Sequence, residues 1–199
     1  RALKEEDGEP SAVRRARVRQ HFLENLDESR LVLDTKVDGF LASTHLWAGE
    51  AVYHQEPIQF VYVSSRQAID PGVSVPGYAI SNWAVLQIPK VLKVNLGKNA
   101  DLVQCFSLMF PFIRTGMTDE YANNERVFGR WQPRMLEPSE MAEAFMALLD
   151  RPGNETDDGM FQLMVEAAEQ NEVDVTWRQV KFNLAEEKLT WSEDNPLRF

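Results

Sequence analysis

IQFVYVSSRQAIDPGVSVPGYAISNWAVL, residues 58–86, decides the fold. IQFVYVSS is a short apolar run, rich in β-branched and aromatic residues, that ends on two hydroxyls. It predicts a buried strand passing into a loop. SRQAIDPGVSVPG carries two prolines and two glycines and punctuates strongly. A helical pattern starts near Tyr78 and continues toward Leu96, with a kink expected at Pro89. Downstream, DLVQCFSLMF (101–110) predicts a second buried strand. EMAEAFMALLD (140–150) predicts a helix buried on one face and capped by Ser139, and MFQLMV (160–165) a third strand. Strands alternating with helices imply an α/β fold with a parallel sheet and crossover helices.

The flanking segments are read from the same patterns. RALKEEDGEPSA (1–12) is polar and reads as a flexible lead-in, and VRRARVR (13–19) as a solvated basic helix face rather than a nucleic-acid patch. From His21 to Gly39 a helix is predicted, with Phe22, Leu26, Leu33 and Val37 on an apolar stripe close to Leu23 and Leu31; it can run on through FLASTHLW. The segment from Pro111 to Pro133 is loop-rich and reads as a mobile cover. Strands are expected at VDVTWRQVKF (173–182) and EKLTW (187–191), without a position in the sheet. The organisation is a lead-in (1–20), an α/β body (21–165) and an acidic C-terminal extension (166–199).

Composition excludes several functions. In 199 residues, 44% are hydrophobic and 26% charged, which allows a sizeable core. A net charge of −10 argues against a nucleic-acid surface, which needs a positive face for phosphates. The single cysteine, Cys105, permits no intrachain disulfide framework and no cysteine-rich metal centre. It reads as a small buried apolar residue, and a reducing, cytoplasmic setting is expected. No apolar run reaches transmembrane length and no signal peptide is visible. His21, His45 and His54 lack metal-ligand spacing. Ser43 and His45 have no Gly-x-Ser-x-Gly elbow to support a hydrolase triad. Trp131, Trp177 and Trp191 are expected in core or tail packing.

In an open parallel sheet, sites form beyond the carboxyl ends of the strands. Ser64 and Ser65 end the first strand, and Tyr78 and Asn82 begin the helix after it, so both pairs are expected at one sheet edge. A serine and a tyrosine there can share the oxygen of a substrate carbonyl. A phenol with a pKa near 10 is a slow acid at neutral pH and needs a nearby cation. Four residues after the tyrosine, where a lysine would share its helix face, the chain has neutral Asn82. The best remaining cation is Lys36 in LDTKVDGF, expected near the C-terminal end of the preceding helix.

VYVSS, PGYAISN and PFIRTGM, in this order and spacing, resemble the short-chain dehydrogenase/reductase superfamily. That superfamily commonly has Tyr-x-x-x-Lys. The ketoreductase domains of modular polyketide synthases and polyunsaturated fatty acid synthases have Tyr-x-x-x-Asn, with the lysine moved upstream into Lys-Val-x-Gly. This chain has both YAISN and KVDG, followed by Pro111, Phe112, Gly116 and Met117 in the places of a Pro-aromatic segment and a Gly-Met pair.

The resemblance, from about residue 21 to 165, implies a partial Rossmann-like, doubly wound parallel sheet. Tyr78 is then the proton donor, Ser65 the residue holding the carbonyl oxygen, Lys36 the cation that lowers the phenol pKa and binds the cofactor ribose, and Asn82 the brace of that lysine. Pro111 and Phe112 would lie at the cofactor, and Gly116 and Met117 on a substrate lid. NADPH is the implied cofactor and a β-ketoacyl thioester on an acyl carrier protein the implied substrate. A free small alcohol or ketone is the alternative. A non-catalytic half serving in dimerisation or as a scaffold is a further one, and a homo-oligomer fits either. No Gly-x-Gly-x-x-Gly follows a strand. The dinucleotide-binding strands are therefore expected from a preceding segment or a partner chain, and the isolated fragment is expected to need them for activity. The stereochemical Leu-Asp-Asp is absent, and Asp70 stands where a Trp would signal handedness.

Overall fold

The computed structural model describes residues 10–70, 76–119, 132–150, 159–167, 173–183 and 188–191. They divide into two compact units. The first holds the residues up to Phe60 together with Arg66–Gln104; the second holds Val61–Ser65 and the residues from Cys105 onward.

A single helical run opens the first unit: α1 (Ser11–Leu33), a π turn (Asp34–Asp38) and α2 (Gly39–His54). It starts directly after Pro10, a residue that has no N–H to lose at a helix end. It therefore begins ten residues before the expected start at His21, and the boundary drawn at residue 20 falls inside α1. The run stops at Gln55, whose φ of 56° turns the chain out of the helix.

The buried stripe differs from the expected one. Phe22 is 68% exposed and Leu26 46% exposed. Half-buried positions recur every fourth residue at His21, Asn25, Ser29, Leu33, Val37 and Leu41, with Lys36 beside Val37, and are followed by buried Thr44, Ala48 and Ala51. A spacing of four drifts by about 40° per step on a helix of 3.6 residues per turn. The wider π turn in the middle takes up part of that drift.

β1 (Ile58–Ser65) and a 3₁₀ turn (Arg66–Ala68) precede α3 (Pro76–Leu96). α3 is one helix through Pro89, and it buries Gly77, Ser81, Asn82, Val85, Leu86, Ile88, Pro89 and Leu92. α1 and α3 pack against each other. Gly97, at a φ of 54°, ends α3 in a conformation that disfavours side chains.

The second unit is built on the sheet. β2 (Val103–Phe110), β3 (Gly159–Ala167), β4 (Val173–Asn183) and β5 (Lys188–Trp191) follow β1 in spatial order β1-β2-β3-β4-β5. β2 and β3 are parallel, with Phe106 opposite Gly159. β3–β4 and β4–β5 are antiparallel, so the expected parallel sheet carries an antiparallel edge. The two C-terminal strands thereby gain a place that the sequence left open. The boundary drawn after residue 165 falls inside β3.

The core of this unit includes Phe106, Leu108, Leu136, Leu148, Phe161, Leu163 and Trp177. α4 (Pro138–Leu149) covers it, and the Trp177 indole N–H donates to the Ala144 carbonyl at 2.7 Å. The core role expected for Trp177 holds, as does the burial of Cys105. Ser139 is not the helix cap. Glu137 is, in a reciprocal capping box with Glu140, and Pro138 fills the first turn.

The described start of the expected cover is anchored. Gln132 accepts from the Phe112 N–H (2.8 Å) and donates to the Phe112 carbonyl (2.9 Å). Ile113 bridges Leu136, and Arg114 pairs with Glu137 at 2.8 Å. Residues 120–131 of that cover, Trp131 among them, lie outside the described residues, as do residues 1–9 of the expected lead-in and the side chain of Trp191. Among the described residues no helix is long and apolar enough to cross a membrane.

Candidate active site

Tyr78 and Asn82 stand one turn apart at the start of α3, so their side chains leave the same side of the helix. Asn82 is fully buried and satisfied at both ends of its amide. Its Nδ2 donates to the Tyr78 carbonyl at 2.7 Å, and its Oδ1 accepts from Lys36 Nζ at 2.5 Å. Reversing the amide would turn donors toward an ammonium and an acceptor toward a carbonyl, so the two partners fix its orientation. Ser81, also fully buried, donates to the same Tyr78 carbonyl at 3.0 Å.

Lys36 comes from the π turn, 46 residues upstream of Asn82. It sits mid-way along the α1–α2 run rather than near a helix end. Its Nζ lies 5.7 Å from the centroid of the Tyr78 ring, within cation–π range. Burial lowers the amine from 10.5 to about 8, because a desolvated ammonium is disfavoured. Tyr78 itself is 38% exposed.

This geometry gives a reason for a neutral carboxamide at position 82. A lysine at 82 would direct a second cation at the amine of Lys36. The carboxamide instead supplies a fixed neutral acceptor for the Lys36 amine.

The other expected residues lie in the second unit. Ser65 ends β1 half-buried, and Ser64 beside it is 4% exposed. Pro111 and Phe112 follow β2. Met117 is 85% exposed, and a Cβ built on Gly116 would meet nothing within 4 Å. Gly116 has no positive φ either, so neither space nor backbone demands glycine there. The structure thus joins Lys36, Tyr78 and Asn82. Ser65 ends β1, and Pro111, Phe112, Gly116 and Met117 follow β2. His21, His45 and His54 lie on faces of the long helix. Sequence reasoning missed Ser81, which no pattern singles out, and the role of Gly77. The signal for Gly77 was its place beside Tyr78.

No protein-family model matches the chain, and no curated protein matches it. Solved structures do. A 4-hydroxyisoleucine dehydrogenase mutant complexed with NADH and succinate aligns with a TM-score of 0.60 at 17% identity, over 68% of this chain and 57% of that one. L-sorbose reductase from Gluconobacter frateurii, complexed with NADPH and L-sorbose, gives 0.57 at 14% identity, over 68% and 56%. Acetoin dehydrogenase from Enterobacter cloacae gives 0.54 at 18%, over 69% and 54%. The chain therefore spans somewhat over half the length of each. At such identities the likeness establishes the fold, an α/β, partial Rossmann-like architecture.

Proposed function

We propose that this chain is the catalytic part of a short-chain dehydrogenase/reductase that reduces a ketone with a nicotinamide dinucleotide. The observation that carries the reading is the Lys36 amine, bonded to Asn82 at 2.5 Å and held 5.7 Å from the Tyr78 ring centre. The likeness to dehydrogenase and reductase structures supports it.

Each residue then has a role. The Tyr78 phenol gives its proton to the oxygen of the carbonyl as the alcohol forms. The Lys36 ammonium stabilises the phenolate left behind, and Asn82 keeps that charge in place. Ser65 donates a hydrogen bond to the carbonyl oxygen. When bound, the nicotinamide supplies the hydride to the carbonyl carbon.

The donor set suits one end of that cofactor. An ammonium has three donors, and Asn82 takes one, so Lys36 can also hold ribose hydroxyls. Pro111 and Phe112 would line the nicotinamide side. The sequence has no Gly-x-Gly-x-x-Gly, so these residues serve the nicotinamide–ribose end and not the pyrophosphate. NADPH rather than NADH is proposed from the sequence resemblance.

For substrate we propose a β-ketoacyl thioester on an acyl carrier protein, on the strength of the YAISN and KVDG exchange. A free small ketone is the second reading, favoured by the L-sorbose held in one of the similar structures. Turnover of both substrate types by the native gene product, followed by NADPH absorbance, separates them. Reduction of the carrier-bound substrate alone supports the first reading, and reduction of free ketones alone supports the second. A fluorescence titration that shows no NADPH binding would overturn both and favour a scaffold role.

A further inference from the structure

Gly77, the residue before Tyr78, touches α1 at backbone range. A Cβ built on it would come within 2.7 Å of both the carbonyl oxygen and the Cβ of Ser29. No side chain fits such a gap against backbone atoms. The Gly77 N–H is one of the first-turn donors that α3 cannot satisfy internally. It donates to Ser29 Oγ at 3.0 Å, across the two helices. Ser29 therefore caps a helix to which it does not belong, at the point of closest approach.

Lys36 lies seven residues beyond Ser29 on the same helical run, about 10 Å further along the axis. Both residues are half-buried, and each bonds to α3, Ser29 to the Gly77 N–H and Lys36 to Asn82. On α3, Tyr78 follows Gly77 directly and Asn82 lies five residues on. Two helices fastened at Ser29–Gly77 and again at Lys36–Asn82 can neither slide nor rotate freely against each other.

We propose that Ser29 and Gly77 are positioning residues that clamp α1 to the first turn of α3 and so hold the Lys36 amine at the Tyr78 ring. The purpose of the clamp rests on the reductase reading; its geometry does not. Among the described residues, the groups that face the amine lie on its own element and on α3. Asp34 and Asp38 flank Lys36 on its own element and are exposed. α3 presents the Tyr78 phenol and the neutral Asn82 amide. Separating the helices therefore acts on Lys36 chiefly by admitting water.

The test reads Lys36 directly. Trace acetylation with acetic anhydride across pH 6–11, quantified by peptide mass spectrometry, gives the titration midpoint of that one amine, with exposed Lys90 as reference. The midpoint of the intact protein should lie near 8. Gly77→Ala should raise it by about one unit, which at pH 8 is roughly a fivefold loss of reactivity. Ser29→Ala keeps the close approach and removes only the hydroxyl, so a smaller shift of about half a unit is expected. A folded Gly77→Ala protein with an unchanged midpoint overturns the proposal. Should that variant fail to fold, an unchanged midpoint in Ser29→Ala overturns it. No turnover enters this measurement: an intact clamp in a protein that binds no NADPH would count against the reductase reading alone.

Discussion

Lys36 is charged where burial disfavours charge, and this has a consequence for stability. Its amine titrates near 8 in the folded chain and near 10.5 when unfolded. Below 8 both states carry the proton, and the fold bears the full cost of a desolvated cation. Between 8 and 10.5 the folded state sheds the proton while the unfolded state keeps it, so stability attributable to Lys36 should rise with pH. Urea unfolding at pH 7.5 and pH 10 should show this gain in the wild type relative to Lys36→Met, in which it should vanish. Asn82 gives a complementary expectation. Asn82→Asp puts a carboxylate on the amine and should raise the Lys36 midpoint well above 8, readable by the same acetylation titration. Asn82→Ala leaves the Lys36 amine without this acceptor, at an expected cost of about 1–3 kcal/mol in urea unfolding. The partnership of Tyr78 with Asn82 was legible as an i, i+4 spacing. That of Asn82 with Lys36 spans 46 residues, and only the KVDG resemblance pointed to it.

At the scale of elements, the α4 entrance shows what local patterns can and cannot give. Glu140 closes the capping box and pairs with Arg134 at 2.6 Å. The Arg134 hydrogen bond holds its carboxyl down at about 2. The sign is that of a depressed acid: its stabilisation is whole above 4.5 and is lost as pH falls toward 2. Glu140→Gln should therefore be less stable than the wild type above pH 4.5, with the two melting temperatures converging as pH falls from 4.5 toward 2 in thermal unfolding. Ser139 seemed the better cap because hydroxyls favour that position. The proline at 138 decided otherwise, since it belongs in the first turn and moves the cap to Glu137. The expected stripe held at Leu33 and Val37 and failed at Phe22 and Leu26 for a related reason. Hydropathy favours Phe22 and Leu26, but the close contact at Gly77 requires a small residue, and Ser29 occupies the facing side. A contact chosen by backbone proximity leaves no apolar periodicity to read.

For the whole molecule, the sheet unit and the site unit make separate demands. Leu108 is fully buried in the core beneath α4, so Leu108→Ala should cost about 2–5 kcal/mol in urea unfolding without changing the Lys36 titration midpoint. The strand–helix alternation was legible because each strand is a short apolar run between strong punctuation. The antiparallel edge of β4 and β5 was not, because pairing depends on neighbours far along the chain rather than on the strands' own residues. The role proposed for Lys36, brought in by the long helix and bonded to Asn82, is to serve Tyr78. It is tested most directly by kcat for NADPH-dependent ketone reduction in the native gene product and its Lys36→Met variant, with circular dichroism confirming the fold. The account predicts a loss of about 10²–10⁴-fold with the fold intact; wild-type turnover in Lys36→Met would contradict it.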